Sequence, residues 1–332
     1  MRTYSGTMIE PLDWPGLVEE ALRRRRAEGL TQKEHAALAG VSVPTMIAFD
    51  RKETTLSLAK AHDILQVVGL VAAQSSNIFV ESAERRWADL VSSLPPDAPA
   101  RQPYGHYAFD YELAGASAGS MDALIEALGR ADRAYTTWPP FWLPTRKEIA
   151  PYPFDDGVEC WLGRPDKERH FGDAAHSDFW RAGLDAQLYL RREYREDSSD
   201  VLTPATVFDL IRPVRVAGEV LLHGHHLAEA LEAAPHTAAT FRVRYTGLAG
   251  RELKSWEDPH RDLIGDYRCR TDEAAAAVSC QASDIADRLP ELVHDLMAPV
   301  YERFDFFELP VHLVQEELDK LRAGPSGRSS GR

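Results

Sequence analysis

Residues 29–50 read Gly29-Leu30-Thr31-Gln32-Lys33-Glu34-His35-Ala36-Ala37-Leu38-Ala39-Gly40-Val41-Ser42-Val43-Pro44-Thr45-Met46-Ile47-Ala48-Phe49-Asp50. Thr31 is a good N-cap, and Glu34 three residues on completes a capping box, so a helix is expected over residues 32–39. Gly40 supplies the left-handed residue that ends it. Ser42 then caps a second helix, with Pro44 in its first turn, where a missing N–H costs nothing. Ala36 is small where a crossing helix must come close, Val41 can plug the corner, and Met46, Ile47 and Phe49 offer a core side. This is the layout of a helix-turn-helix.

Upstream, residues 14–28 offer Leu17, Ala21 and Leu22 as apolar positions before the run Arg23–Arg26, and Gly29 stops that helix. Downstream, residues 54–69 supply one or two more helices, with Leu56, Leu58, Ala61, Ile64, Leu65 and Val68 as core positions. Residues 74–94 form another amphipathic pattern through Ile78, Phe79, Ala83, Trp87, Leu90 and Val91. The stretch LPPDAPARQPYG, residues 94–105, carries four prolines and reads as a linker, so the domain boundary is expected there. Beyond it, strands are expected over 107–113, 158–162, 188–194, 206–211, 240–246 and 274–280. Helices are expected over 120–133, 216–233, 284–304 and 309–322. Without a regular βαβ rhythm the fold class is α+β. The expected order is an all-α domain over 1–72, a connecting helix and linker over 73–105, an α+β domain over 106–322 and a disordered tail over 323–332.

The 332 residues suit two domains, and a hydrophobic share of 44% is enough for a sizeable core, which excludes a mostly disordered chain. No apolar run reaches the roughly 18–20 residues of a membrane span. The opening MRTYSGTMIEPLDW lacks a basic-then-apolar signal, so no secretory leader is expected. Cys160, Cys269 and Cys280 are odd in number and have no CxxC spacing, which fits a reduced, cytoplasmic setting with the thiols as apolar fillers. A net charge of −14 argues against a polyanion as partner for the chain as a whole. Within residues 17–62, however, eight lysines and arginines outnumber six acids, so a slightly basic segment sits on an acidic body.

Over about residues 17–70 the register of small residue, glycine, plug and capped third helix resembles the XRE/cI-type repressor family. The resemblance implies that Gln32 contacts the DNA backbone or a base. It implies that Val43, Pro44 and Thr45 face base edges with Ala48 one turn later. It also implies that Arg25 pairs with Asp50, which orients the arginine near phosphate. Val43, Pro44 and Ala48 depart from the polar readers common in that family and can at best touch a thymine methyl. Readout would then lean on Thr45, Gln32, Arg51, Lys52 and DNA shape. The DNA-contacting candidates are thus Arg25, Gln32, Ser42, Val43, Pro44, Thr45, Ala48, Arg51 and Lys52. The bland alternative is a helix-turn-helix kept for protein contacts alone.

The large domain offers weaker signals. Arg191, Arg192 and Arg195 lie on or beside a strand and Arg212 and Arg215 follow another, a grouping that can hold a small anionic ligand; Trp138, Phe141, Trp142 and Trp161 could wall such a pocket. The ligand candidates are Arg191, Arg195, Arg212, Arg215 and Trp142. Glu219, His223 and His226 fall on one helix face and are the metal candidates, although no tight metal signature accompanies them and no cofactor is expected. Asp173, His176, Ser177 and Asp178 are too close in sequence to make a triad. The segments TTWPPFWLPTR (136–146), GVECWLG (157–163), DFWRA (178–182) and GEVLLHGHHLA (218–228) resemble a region found in some bacterial proteins beside an AlbA/Schlafen-like domain. That resemblance implies an accessory or sensor module and no catalytic residues. The expectation is a cytoplasmic, homodimeric, sequence-specific DNA-binding transcriptional regulator. The alternatives are a hydrolase or nucleotide-acting enzyme with a DNA-binding head, and an interaction factor of antitoxin or phage-defence type.

Overall fold

A computed structural model describes residues 13–54, 56–70, 74–133, 135–136, 138–163, 177–258, 260–261 and 263–324. The expected tail beyond residue 324 lies outside the described residues, as do Asp173 and His176. The chain divides into two compact units, Met1–Gln74 and Ser75–Arg332.

Among its described residues the first unit is all-helical, with α1 (Trp14–Ala27), α2 (Gln32–Leu38), α3 (Val43–Asp50) and α4 (Leu58–Val67). Both halves of the Thr31–Glu34 capping box form, and Ser42 accepts from the Thr45 amide. Gly40 has φ +62° with nothing near an added Cβ, so the turn is possible because glycine carries no penalty there. Val18, Ala21, Ala36, Met46, Phe49, Ile64, Leu65 and Val68 make the core. Met46 and Phe49 point inward as expected, whereas Ile47 is half-buried. Trp14 meets Phe49 edge-on at 5.5 Å, and buried His35 places Nε2 2.9 Å from the Ile64 carbonyl, tying α2 to α4. Burial pushes the His35 pKa down, consistent with a neutral ring donating to that carbonyl.

The second unit is mixed α and β. It opens with α5 (Gln74–Val91), whose first residue is the last of the other unit. Its main sheet has seven antiparallel strands in the order β2 (Tyr152–Phe154), β3 (Gly157–Trp161), β4 (Phe179–Gly183), β5 (Gln187–Glu193), β1 (His106–Leu113), β7 (Ala238–Tyr245) and β9 (Ala274–Gln281). Two short strands, β6 (Val207–Asp209) and β8 (Glu252–Lys254), pair in parallel apart from it. Among the described residues four helices complete the unit: α6 (Met121–Ala131), α7 (Arg212–Ala230), α8 (Leu289–Tyr301) and α9 (Val311–Arg322).

Side-chain alternation decides what covers the sheet. Tyr107, Phe109, Tyr111 and Leu113 of β1 join Val158, Trp180, Leu190, Phe241 and Val243 in one large core under α6–α9. The intervening Ala108, with Trp161, Phe179 and Tyr189, faces the opposite way and packs with Ala83 and Val91 of α5 and with Ala100. Strands β3, β4 and β5 are therefore buried on both faces and β1 nearly so, whereas β7 and β9 keep one face partly open. Gly224 of α7 permits the tight seat on β7, since a Cβ there would lie 2.7 Å from the Phe241 ring.

This geometry corrects the expected boundary. The Pro-rich stretch does not divide the chain; it belongs to the second unit, with Ala100 in the core beneath α5 and Gln102 buried. Arg101 Nη1 donates to the Val91 and Leu94 carbonyls at 2.6 and 2.9 Å, which closes the end of α5. The expected strand over 206–211 ends at Asp209, because its Oδ1 accepts from the Ile211 and Arg212 amides and starts α7 four residues earlier than periodicity suggested. Strands β2, β4 and β8 lie outside the expected segments; β4 is buried on both faces and shows no polar alternation to read.

Candidate nucleic-acid interface

The pairing implied for Arg25 is present. Its Nη1 and Nη2 donate to Asp50 Oδ1 and Oδ2 at 2.9 and 2.8 Å, and Gln32 Nε2 donates to the same Oδ2 at 2.6 Å. One carboxylate thus fastens α1, α2 and α3 together. Gln32 is engaged by this clamp through its amide nitrogen and keeps its Oε1 for another partner. Ser42, Val43 and Pro44 are exposed at the start of α3, with Val43 39% exposed; Thr45 and Ala48 are half-buried. The Thr45 hydroxyl sits 2.8 Å from the Ser42 hydroxyl, so the cap and the candidate reader share a hydrogen bond.

The arginine run is mostly spent inside the unit. Arg23 and Arg24 both bond Glu20, and Arg24 Nη1 also donates to the Val68 and Gly69 carbonyls at the end of α4. These bonds hold the Glu20 pKa down at about 2. Lys52, a candidate DNA contact, is bonded to Glu19. Arg26, Lys33, Arg51 and Lys60 are exposed and have no ion-pair partner among the described residues.

In the second unit the arginine cluster forms but is filled. Arg195 Nη1, Arg212 Nη1 and Arg215 Nη1 converge on Glu257 at 3.3, 2.6 and 3.3 Å, and Arg215 Nη2 holds buried Glu317 at 2.6 Å. A protein carboxylate occupies the place expected for a small anion. Arg191 is not part of this group. It lies on the α5 face of the sheet, its guanidinium 3.5 Å from the Trp87 ring centroid and its Nε bonded to Gln102 at 2.7 Å. Trp142 stands elsewhere again, packed on Trp138 with its carbonyl accepting from Trp180 Nε1. Arg192, the neighbour of Arg191, points to the opposite face and is buried against Asp178.

The metal candidates are also divided. Glu219 accepts from the Thr136 amide and hydroxyl at 3.0 Å, His223 Nδ1 meets the Tyr111 hydroxyl at 2.7 Å, and His226 Nε2 meets the Tyr135 hydroxyl at 2.9 Å. Glu219 and His223 line a small cleft with Asp132, Arg133, Tyr135 and Pro139. Burial raises the Glu219 pKa to about 7 and lowers that of His223 to about 3. Among the described residues the ligand-type group is instead His225, His226 and Glu229, whose candidate ligand atoms all lie within 4.8 Å of one another. The i,i+4 spacing of His225 and Glu229 was the available sequence signal for it. Burial also raises the Cys280 thiol pKa to about 12, in keeping with an unreactive filler.

Comparison with protein-family models, curated proteins and solved structures finds no match to this chain. Among the described residues no helix is long and apolar enough to cross a membrane.

Proposed function

We propose that the protein is a DNA-binding transcriptional regulator, the first unit contacting the duplex through α3 and the second supplying pairing and signal sensing. The observation that carries this reading is the clamp of Arg25 and Gln32 on Asp50. It makes α1, α2 and α3 one rigid piece while the start of α3 stays exposed for groove contact. The exposed cations Arg26, Lys33, Arg51 and Lys60 are available for phosphates, whereas Arg23, Arg24 and Lys52 are engaged with acids of the unit. One such unit reads few bases, so a homodimer on half-sites about one helical turn apart is the expected assembly. The test is a binding titration of the full chain on its own promoter DNA at roughly 50 and 200 mM salt. Steeply salt-sensitive binding supports the proposal, and no salt-sensitive binding to any duplex overturns it.

A second reading, an enzyme with a DNA-binding head, has one observation in its favour. The cleft holding Glu219 and His223 brings together an acid with a raised pKa and a neutral imidazole. A nucleotide-binding screen with the Glu219→Gln variant as control separates the two readings.

A further inference from the structure

One turn of α7 carries His225, His226 and Glu229, and the DNA-binding reading makes no use of them. His225 Nε2 lies 3.6 Å from Glu229 Oε1, and His226 Nδ1 lies 3.1 Å from Glu229 Oε2. The far nitrogens of both rings are held. His225 Nδ1 is 3.1 Å from the Ala282 carbonyl, which only accepts, so this nitrogen carries the proton and Nε2 of the neutral ring presents its lone pair to the carboxylate. The Tyr135 hydroxyl, 2.9 Å from His226 Nε2, can accept a proton there and leave Nδ1 as a second lone pair facing the same carboxylate. In these tautomers both rings turn a lone pair toward one carboxylate, an arrangement that a cation between the three groups satisfies.

We propose that His225 Nε2, His226 Nδ1 and Glu229 form a site for a divalent transition metal of the zinc class. Two imidazoles and a carboxylate suit that ion, and three protein ligands leave a fourth position for water or a partner's group. The outer contacts match the pattern of ligand histidines whose second nitrogen is fixed by a carbonyl or hydroxyl. Both histidines are shielded, 17% and 12% exposed, while Glu229 is 56% exposed and gives the ion its way in. Arg133 Nη2, 3.9 Å from Glu229 Oε2, is placed to hold that carboxylate from outside. Glu219 and His223 do not take part, being bound to Thr136 and Tyr111. The bound ion would pin α7 to the segments carrying Tyr135 and Ala282.

The full chain, stripped with a chelator, is titrated with cobalt(II) and then zinc(II) while visible absorption and the melting temperature are followed. The expected result is about one equivalent of tetrahedral cobalt, displaced by zinc, with a raised melting temperature. Glu229→Gln and His225→Ala are expected to weaken binding at least about tenfold, and Tyr135→Phe about tenfold, with exposed His236→Ala unchanged. Glu229→Gln, at an exposed position, keeps the test valid should His225→Ala misfold. Absence of cobalt bands, or parent-level binding by Glu229→Gln, overturns the proposal, as does equal loss in His236→Ala.

Discussion

Arg25 and Asp50 meet as a two-pronged pair, Nη1 to Oδ1 at 2.9 Å and Nη2 to Oδ2 at 2.8 Å, across 25 residues of sequence and at only 12% and 16% side-chain exposure. The pair joins the last turn of α1 to the end of α3. Arg25→Ala leaves a shielded carboxylate with only the Gln32 amide. The expected loss is about 1–3 kcal/mol from the first unit. Hydrogen exchange across residues 43–50 checks it, and unchanged protection there would show that the pair does not hold α3.

Arg51 and Lys52 are neighbours with different employment. Arg51 is exposed without an ion-pair partner among the described residues, whereas Lys52 is bound to Glu19. Under the proposed function, Arg51→Ala should lower the slope of log affinity against log salt by about 1 and leave folding unchanged. Lys52→Ala should change that slope less. A filter-binding series across salt concentrations measures both, and equal slopes for parent and Arg51→Ala would remove Arg51 from the interface.

Glu219 gives the second unit a pH dependence of definite sign. Its folded pKa, about 7, lies above the ordinary carboxylate value of 4.5 because burial disfavours the anion. The folded state therefore binds more protons than the unfolded one between those values, so this contribution is present below about pH 4.5 and is lost as pH rises through 7. Glu219→Gln, which still accepts from Thr136, should gain stability relative to the parent at pH 8 by up to about 3 kcal/mol and gain little at pH 4.5. Urea unfolding at the two pH values decides it. His223, with a pKa lowered to about 3, works in the other direction and loses its contribution as pH falls below 6.5.

α5 closes the second face of the sheet, with Trp87 beneath the Arg191 guanidinium and Arg86 bonded to fully buried Glu159 at 2.9 Å. A chain beginning at Ser75 should fold cooperatively. A chain beginning at His106 should expose Phe179, Tyr189 and Trp161, leave Glu159 without Arg86, bind a hydrophobic dye and melt at lower temperature. Equal melting of the two fragments would show that α5 contributes nothing to the sheet.

The amino-acid sequence by itself determined the helical head. Thr31, Glu34, Gly40 and Ser42 act on backbone groups within three or four residues of themselves, so their caps and turn were legible without any tertiary knowledge. The six expected strands were legible through alternation and β-branched or aromatic content, least so in alanine-rich β9, and the Arg25–Asp50 pair through the resemblance of residues 17–70. Folding alone decided the partners. Arg191 and Arg192 are adjacent in sequence yet go to opposite faces of one strand, the first to Trp87 and the second to Asp178. Glu257 reaches Arg212 across 45 residues, and the Pro-rich stretch lies against the sheet that follows it. Caps and periodicity are short-range and repeat along the chain, whereas the partner of a charge or an apolar face is set by where distant segments close on one another, which no local pattern encodes.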